Sequence, residues 1–249
     1  MAGRSAQKGI CRQHGSSRPT SRLTQPHGML IRGGFALGAE DAATFAAFPA
    51  LASTEPERAL VLVGNAGPAL YDAFFAAVEP GGALDDWTRR VIEPIAADLG
   101  AHAAFPFGGP PWLPFQRWAM RAEGLKASPL GVLIHPEYGL WHAYRAALIF
   151  DKRLPLPPAT VLAHPCDTCR DRPCLSTCPV GAVTAEGYAV DICAGHVGSP
   201  AGAPCRTTGC LARRACPVGS AYHYPQRAMA FHMAAFLRGR AGTSSHRSA

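Results

Sequence analysis

The sequence predicts an α+β fold: an N-terminal α/β layer, then a small cysteine-bearing domain, then a C-terminal helix. Three observations lead there. Up to about residue 151, aliphatic runs of strand length alternate with helix-like stretches, the pattern of a sheet layered with helices. Eight of the nine cysteines fall between residues 166 and 216. An apolar helical repeat follows the last of them, at 225–237.

The chain accordingly divides into a basic tail at 1–27, an α/β domain at 28–160, a cysteine domain at 161–222 and a closing helix with its own tail at 223–249. The first 27 residues hold five Lys and Arg, no acid and no apolar periodicity, so they cannot offset the entropy of ordering. An Arg-rich transit peptide is a second reading of this stretch, and translation starting at Met29 a third. Cys11, alone in the tail, is a bystander on any of them. The formal charge of +7 belongs to the two ends, because residues 28–191 carry all 17 acids against 12 Lys and Arg. No apolar run reaches the roughly 18 residues of a membrane span, and the N-terminus lacks a secretory h-region. A soluble, cytoplasmic protein is expected, with no membrane partner.

The run ALVLVGNAG at 59–67 reads as a strand buried on both faces. Pro68 opens a helix in PALYDAFFAAV, and the glycines between the two match no phosphate-binding pattern. A second helix is predicted over 86–99, where Trp87, Val91, Ile95 and Leu99 form one stripe. Asp85 or Asp86 is placed to cap it, and Pro94 to kink or split it. The loop FPFGGPPWLPF at 105–115 is too rich in proline for a regular element, while its aromatic residues pin it to the body. Strands are predicted at 130–134 and 146–150, joined through HPEYGLWHAY, and LPLPP at 154–158 is a stiff connector. In the closing helix Met229, Met233, Phe236 and Leu237 form the buried side and Gly239 the stop. His232, on the same helix, reads as structural rather than as a ligand.

The cysteines are spaced Cys166-x2-Cys169-x4-Cys174-x3-Cys178-Pro179 and Cys193-x11-Cys205-x4-Cys210-x5-Cys216-Pro217. Both groups end in CPVG, which suggests two related half-motifs of a ferredoxin-like domain with two 4Fe-4S clusters. In that architecture three close thiolates wrap one cube and the cysteine before proline ligates the other. One cluster would then take Cys166, Cys169, Cys174 and Cys216, and the other Cys193, Cys205, Cys210 and Cys178. The stretch at 188–192 alternates like the short strand that leads into such a unit. Two zinc sites, each held by four cysteines, are the alternative, although zinc has no need of Cys-Pro twice.

FQRWAMRAEG, LGVLIHPEYGLW, LPLPPATV and the first cysteine group together resemble the core of the epoxyqueuosine reductases, relatives of the corrinoid reductive dehalogenases. The resemblance covers residues 86–217 and lies in the order and spacing of these motifs. It implies a corrinoid-binding α/β domain of nitroreductase-like topology, joined to a domain whose two 4Fe-4S clusters feed electrons to cobalt, with cobalamin as a further cofactor. The family's catalytic acid begins an Asp-Tyr-His stretch, and the matching place here reads Asp86-Trp87-Thr88. Asp86 is thus a candidate proton donor, with the helix-cap role as its structural counterpart. His135-Pro136-Glu137-Tyr138-Gly139 matches the family's HPEYG and is expected to turn at the domain junction. The helical-repeat extension through which the family engages transfer RNA is missing.

Two functions follow. The first is an electron relay, for which the cysteines suffice and a redox partner protein is needed. The second is a small corrinoid-dependent or epoxyqueuosine-reductase-like reductase, in which Asp86, the Pro-rich loop and His102 or His142 shape a pocket for an unidentified small molecule. Nucleic-acid binding is a distant third, since the basic ends match no recognition module.

Overall fold

The computed structural model describes residues 23–53, 55–160 and 162–245. Cys11 and nearly all of the basic tail lie outside the described residues.

A four-stranded antiparallel sheet organises the N-terminal layer, in the order β1 (Leu30–Leu37), β2 (Arg58–Ala66), β6 (His142–Phe150), β3 (His102–Ala104). Eight successive residues of β2 are buried, because helices cover both faces of the sheet. On one face Val61, Val63 and Leu148 meet Phe74 of α2 (Ala69–Ala77) and Trp87 of α3 (Leu84–Leu99). On the other, Leu60, Leu62 and Ile149 meet Phe115 and Trp118 of α4 (Phe115–Glu123), with Phe45 of α1 (Ala42–Ala46). Each fully buried aliphatic side chain contributes about 1.5–3 kcal/mol.

Several expectations are corrected. The sheet is wholly antiparallel, so its helices do not join parallel strands. Helix α3 starts two residues earlier than predicted, with Ala83 as N-cap and no side-chain cap bond. Asp85 and Asp86 therefore lie inside its first turn and cap nothing. The helix passes Pro94 unbroken, with that residue on the exposed face. The predicted strand at 130–134 shrinks to β5 (Leu133–Ile134), paired with β4 (Lys126–Ala127). Gly131, at φ +75°, turns the preceding residues, and its N–H bonds the Ser128 carbonyl.

The cysteine domain is built from short pieces: α5 (Pro173–Ser176), a hairpin of β7 (Val183–Thr184) and β8 (Gly187–Tyr188), α6 (Val190–Gly198), α7 (Ala203–Thr208) and α8 (Leu211–Arg214). The strand expected at 188–192 thus ends at Tyr188, and α6 takes over. The closing helix α9 (Gln226–Ser245) runs past Gly239 instead of stopping there. It presents Ala228, Met229 and Phe231 to the sheet's helical face, and Met233, Phe236 and Leu237 are absent from that core.

The HPEYG turn joins the two layers. His135 and Gly139 exchange backbone hydrogen bonds of 2.9 Å, and the turn packs against Val218-Gly219 of the second CPVG. A Cβ on Gly219 would stand 2.3 Å from the Tyr138 carbonyl carbon, and one on Gly139 1.9 Å from the Val218 oxygen. Gly181, the matching glycine of the first CPVG, has a similar φ of +61° but open space around it. Gly219→Ala is expected to cost about 2–4 kcal/mol, from strain plus overpacking. Gly181→Ala should cost only about 1 kcal/mol, from backbone strain alone. Urea unfolding of the two variants separates these terms.

Candidate functional site

The described thiols are all free and fall into two sets. Cys166 follows the first residue of a short 3-10 turn, where the Nδ1 of His164 accepts its N–H at 3.3 Å. Cys174 lies in α5, which packs on α8, and α8 leads directly to Cys216. Burial first, then the neighbouring Cys216, Cys174 and Cys169, push the Cys166 thiol up. Cys216 is pushed up by burial and by Cys174 and Cys169. The last cysteine of the second half-motif therefore stands among the first three.

The second set is reciprocal. Burial, then Cys193 and Cys178, push Cys205 up, although the Leu211 N–H opposes them. Cys210 is raised by burial and by Cys193 and Cys205. The phenol of Tyr188, raised mainly by burial, senses Cys193, Cys210 and Cys178. Cys178 of the first half-motif thus stands with the second group. Among the described residues no three His, Cys, Asp or Glu side chains converge as a ready site for a single metal ion.

The donor chemistry suits thiolate ligation. Main-chain N–H groups point at the sulfurs: Ala182 at Cys178 at 3.3 Å, Val218 at Cys216, and Arg213 and Ala212 at Cys210. Such donors favour the thiolate and tune an iron–sulfur group. Any metal must displace the protons that burial holds on Cys210 and Cys216.

The sheet-side candidates do not converge. Asp86 is exposed on α3, whereas its neighbour Asp85 accepts a 2.6 Å bond from Arg145, which also reaches Thr88. His102 pairs with Asp151 at 3.2 Å at the sheet's edge. The Nε2 of His142 faces the Leu133 carbonyl at 3.1 Å, and burial, helped by Arg32, drives the ring down to about 2. The Nε2 of His232 and the Tyr71 hydroxyl share a 2.7 Å hydrogen bond, and the ring is held at about 4, by burial first. A cavity of about 320 Å³ does open beneath the Pro-rich loop, but Arg89, Phe48, Leu51, Phe105, Phe107 and Trp112 are among its lining and none of Asp86, His102 or His142 is.

Sequence reasoning missed the charges between the layers. Arg32 and Glu123 form a 2.8 Å pair with side chains only 2% and 9% exposed, and Arg32 lies over the rings of Tyr138 and Tyr144. Arg213 donates to the Leu140 carbonyl and lies 4.4 Å from the Trp141 ring centre and 4.9 Å from that of Tyr224. Trp141 Nε1, His142 Nδ1, Arg145 Nε, Arg213 Nε and His223 Nε2 are buried with no protein hydrogen-bond partner, whereas the Tyr144 hydroxyl bonds Glu123. The two stretches that carry them, 141–145 and 213–223, meet at this boundary, as the 4.3 Å separation of the Trp141 and His223 rings shows. Buried polar atoms of this kind call for ordered water or a bound group.

Solved structures share the fold. Epoxyqueuosine reductase from Streptococcus thermophilus superposes with a TM-score of 0.50 over 84% of this chain and 67% of its own, at 14% identity. The chain has the fold of epoxyqueuosine reductase. A selenomethionine-labelled epoxyqueuosine reductase gives the same TM-score at 13% identity, over 85% of this chain and 68% of its own. The B12-trafficking protein CblC of C. elegans aligns over 87% of this chain and 91% of its own at 13% identity, with a TM-score of 0.49. No family model and no curated protein matches the sequence. No helix among the described residues is long and apolar enough to cross a membrane.

The buried histidines predict a pH response. Unfolded, each titrates near 6.5; folded, His135 and His232 sit at about 4 and His142 at about 2. Below about pH 6.5 the unfolded chain binds the extra protons, so stability falls as pH drops towards 4, by up to about 1.4 kcal/mol per pH unit for each of His142 and His232 and by less for the partly exposed His135, which solvent screens. Urea midpoints measured across that window should fall, and His232→Gln should make the slope shallower.

Proposed function

We propose that this chain is a small reductase of the epoxyqueuosine-reductase type, in which two 4Fe-4S clusters serve a reducible group bound against the α+β layer. The observation that carries the reading is the reciprocal thiol sets, each completed by a cysteine from the other half-motif, on a chain with this fold. Cys166, Cys169, Cys174 and Cys216 hold one cluster; Cys193, Cys205, Cys210 and Cys178 hold the other. Such clusters supply single electrons. The second CPVG, pressed on the HPEYG turn, keeps the first set next to the sheet.

The unpartnered atoms at 141–145 and 213–223 are the groups we assign to the bound cofactor or substrate, and a corrinoid is the cofactor that the sequence resemblance implies. Asp86 is the proposed proton donor. It lies on the exposed side of α3's first turn, free of a capping role. An electron relay working with a redox partner protein is the second reading, favoured by the failure of Asp86, His102 and His142 to form one pocket.

Anaerobic purification is expected to yield about eight irons and matching sulfide per chain; zinc without sulfide would sink both readings. Cys216→Ser and Cys178→Ser should each perturb a different cluster in spectra of the reduced protein, since their thiols stand in different sets. Spectral binding of cob(II)alamin supports the reductase, and no uptake favours the relay. Asp86→Asn should leave the urea midpoint within about 0.5 kcal/mol of the parent, having no cap bond to lose. Its reduction of epoxyqueuosine as trial substrate should fall by roughly a hundredfold or more if it donates the proton.

A further inference from the structure

The loop at 105–115 is anchored at both ends and open in the middle. Phe105 is buried in the core on one face of the sheet, while Leu113 and Phe115 pack into the core on the other. Between these anchors the loop borders the cavity of about 320 Å³, whose other walls come from Ala103 and Ala104 of β3 and from the turn at 47–51. Trp112, at the cavity, is 63% exposed, more than any other large apolar side chain among the described residues. A Cβ on Gly109 would stand 2.7 Å from Cδ2 of that indole, so the bare glycine gives the ring a seat on the loop's own backbone.

The lining is apolar and largely aromatic, with one exception. Among the described residues Arg89 is the charged group that reaches the cavity, and no acid lines it. Its guanidinium lies 4.4 Å from the Phe105 ring centre and 5.7 Å from that of Phe107, so cation–π attraction lays it along the wall. Nη1 donates to Glu93 at 3.1 Å, one turn along α3, in a pair whose side chains are 44% and 53% exposed. A pair so exposed is weak and readily exchanged. Nη2 faces the loop, where a Cβ on Gly108 would stand 3.8 Å from it. Arg145, 5.6 Å from the Phe107 ring centre, is committed to Asp85 and Thr88.

Cavities that take small molecules run from about 300 to 1,000 Å³. The bottom of that range has room for a molecule of one or two rings and none for a corrin macrocycle. We propose that this cavity is a binding site for a small planar aromatic anion of the aryl-carboxylate class, its rings stacked among Phe48, Phe107 and Trp112 and its charge held by Arg89. Aromatic walls favour a flat ring in offset or edge contact, and a carboxylate accepts from a guanidinium in a charge-assisted bond that a neutral ligand cannot make. A loop anchored at both ends loses little freedom when the ligand enters. No cysteine lines the cavity, so the inference stands apart from the two-cluster reading.

The test is titration of the full chain with naphthoate and with its neutral counterpart naphthalenemethanol, read by calorimetry and by the indole N–H resonances of isotope-labelled protein. Trp87, Trp118 and Trp141 are buried, and the resonance missing from Trp112→Phe identifies that of Trp112. Naphthoate should bind once per chain, about tenfold more tightly than the alcohol, and should move the Trp112 resonance while the other three stay. Raising the salt should narrow that gap, because Arg89 is partly exposed. Arg89→Gln should bring naphthoate down to the alcohol's affinity and leave the alcohol's own unchanged. It removes an exposed ion pair and a ring contact, and the four indole resonances report that the fold is kept. Ala50→Phe, which fills the cavity from an exposed position on its rim, should weaken both ligands. Absence of saturable naphthoate binding overturns the proposal, as does equal affinity for acid and alcohol. So does an Arg89→Gln variant that binds naphthoate like the parent, a filled cavity that still binds both, or a Trp112 resonance that does not move.

Discussion

The contact between Tyr138-Gly139 and Val218-Gly219 is the constraint on which the two layers depend. Each glycine has positive φ, and each presses its bare Cα against the other's backbone. Side chains seal the contact: Tyr222 packs edge-on against Tyr138 at 4.9 Å and its hydroxyl reaches Glu137. Gly67, which ends the turn after β2, meets the same Tyr222 ring. That explains the glycines of the first strand-turn-helix unit: Gly67 makes room for the Tyr222 ring and Gly64 for the Ala143 carbonyl, which a Cβ would meet at 2.2 Å. Cys216 is three residues from Gly219, so the contact also places the thiol that completes the first set.

Around this contact the fold buries charge. The Arg32–Glu123 pair is weak as a source of stability, because desolvating two ions costs about what their attraction returns. The two partners show both sides of that balance. Burial opposes the charge on each, yet Glu123 and the two tyrosine rings leave Arg32 raised, while Glu123 is also left raised. An arginine does not deprotonate, so the pair is best taken as ionised and tightly held. Its effect is to fix α4 against β1 and to keep His135 and His142 neutral next to a permanent cation.

The parts of this arrangement that were legible in the sequence are those with a local cause. β2 reads as a doubly buried strand because its aliphatic run is unbroken, and α3 reads as a helix because its stripe recurs every four residues. The repeated CPVG marked two matching turns, with Gly181 and Gly219 both at positive φ. Long-range causes were illegible. Three-residue β3 is a strand only because β6 lies beside it. Gly239 stops nothing, since a glycine ends a helix only where the chain beyond turns away. Asp86 looked like a cap because the helix start was placed at the polar residues, whereas Leu84, buried at 4%, begins it. The cavity under the Pro-rich loop draws on Phe48 and Leu51 from a distant turn, and nothing near the loop announces them.

The departures from compact ferredoxin spacing have a structural account. The eleven residues between Cys193 and Cys205 become most of α6 and a turn, closed when Arg206 reaches back to the Val197 and Ser199 carbonyls. The five between Cys210 and Cys216 become α8, whose Arg213 reaches across to Leu140 and covers Trp141. The four between Cys169 and Cys174 include the left-handed Arg172 and end in Pro173, which opens α5. Extra chain between ligands adds closure entropy, and an arginine that bridges carbonyls or rings removes that freedom again. Arg206 and Arg213 thus act as the fasteners of their spacers.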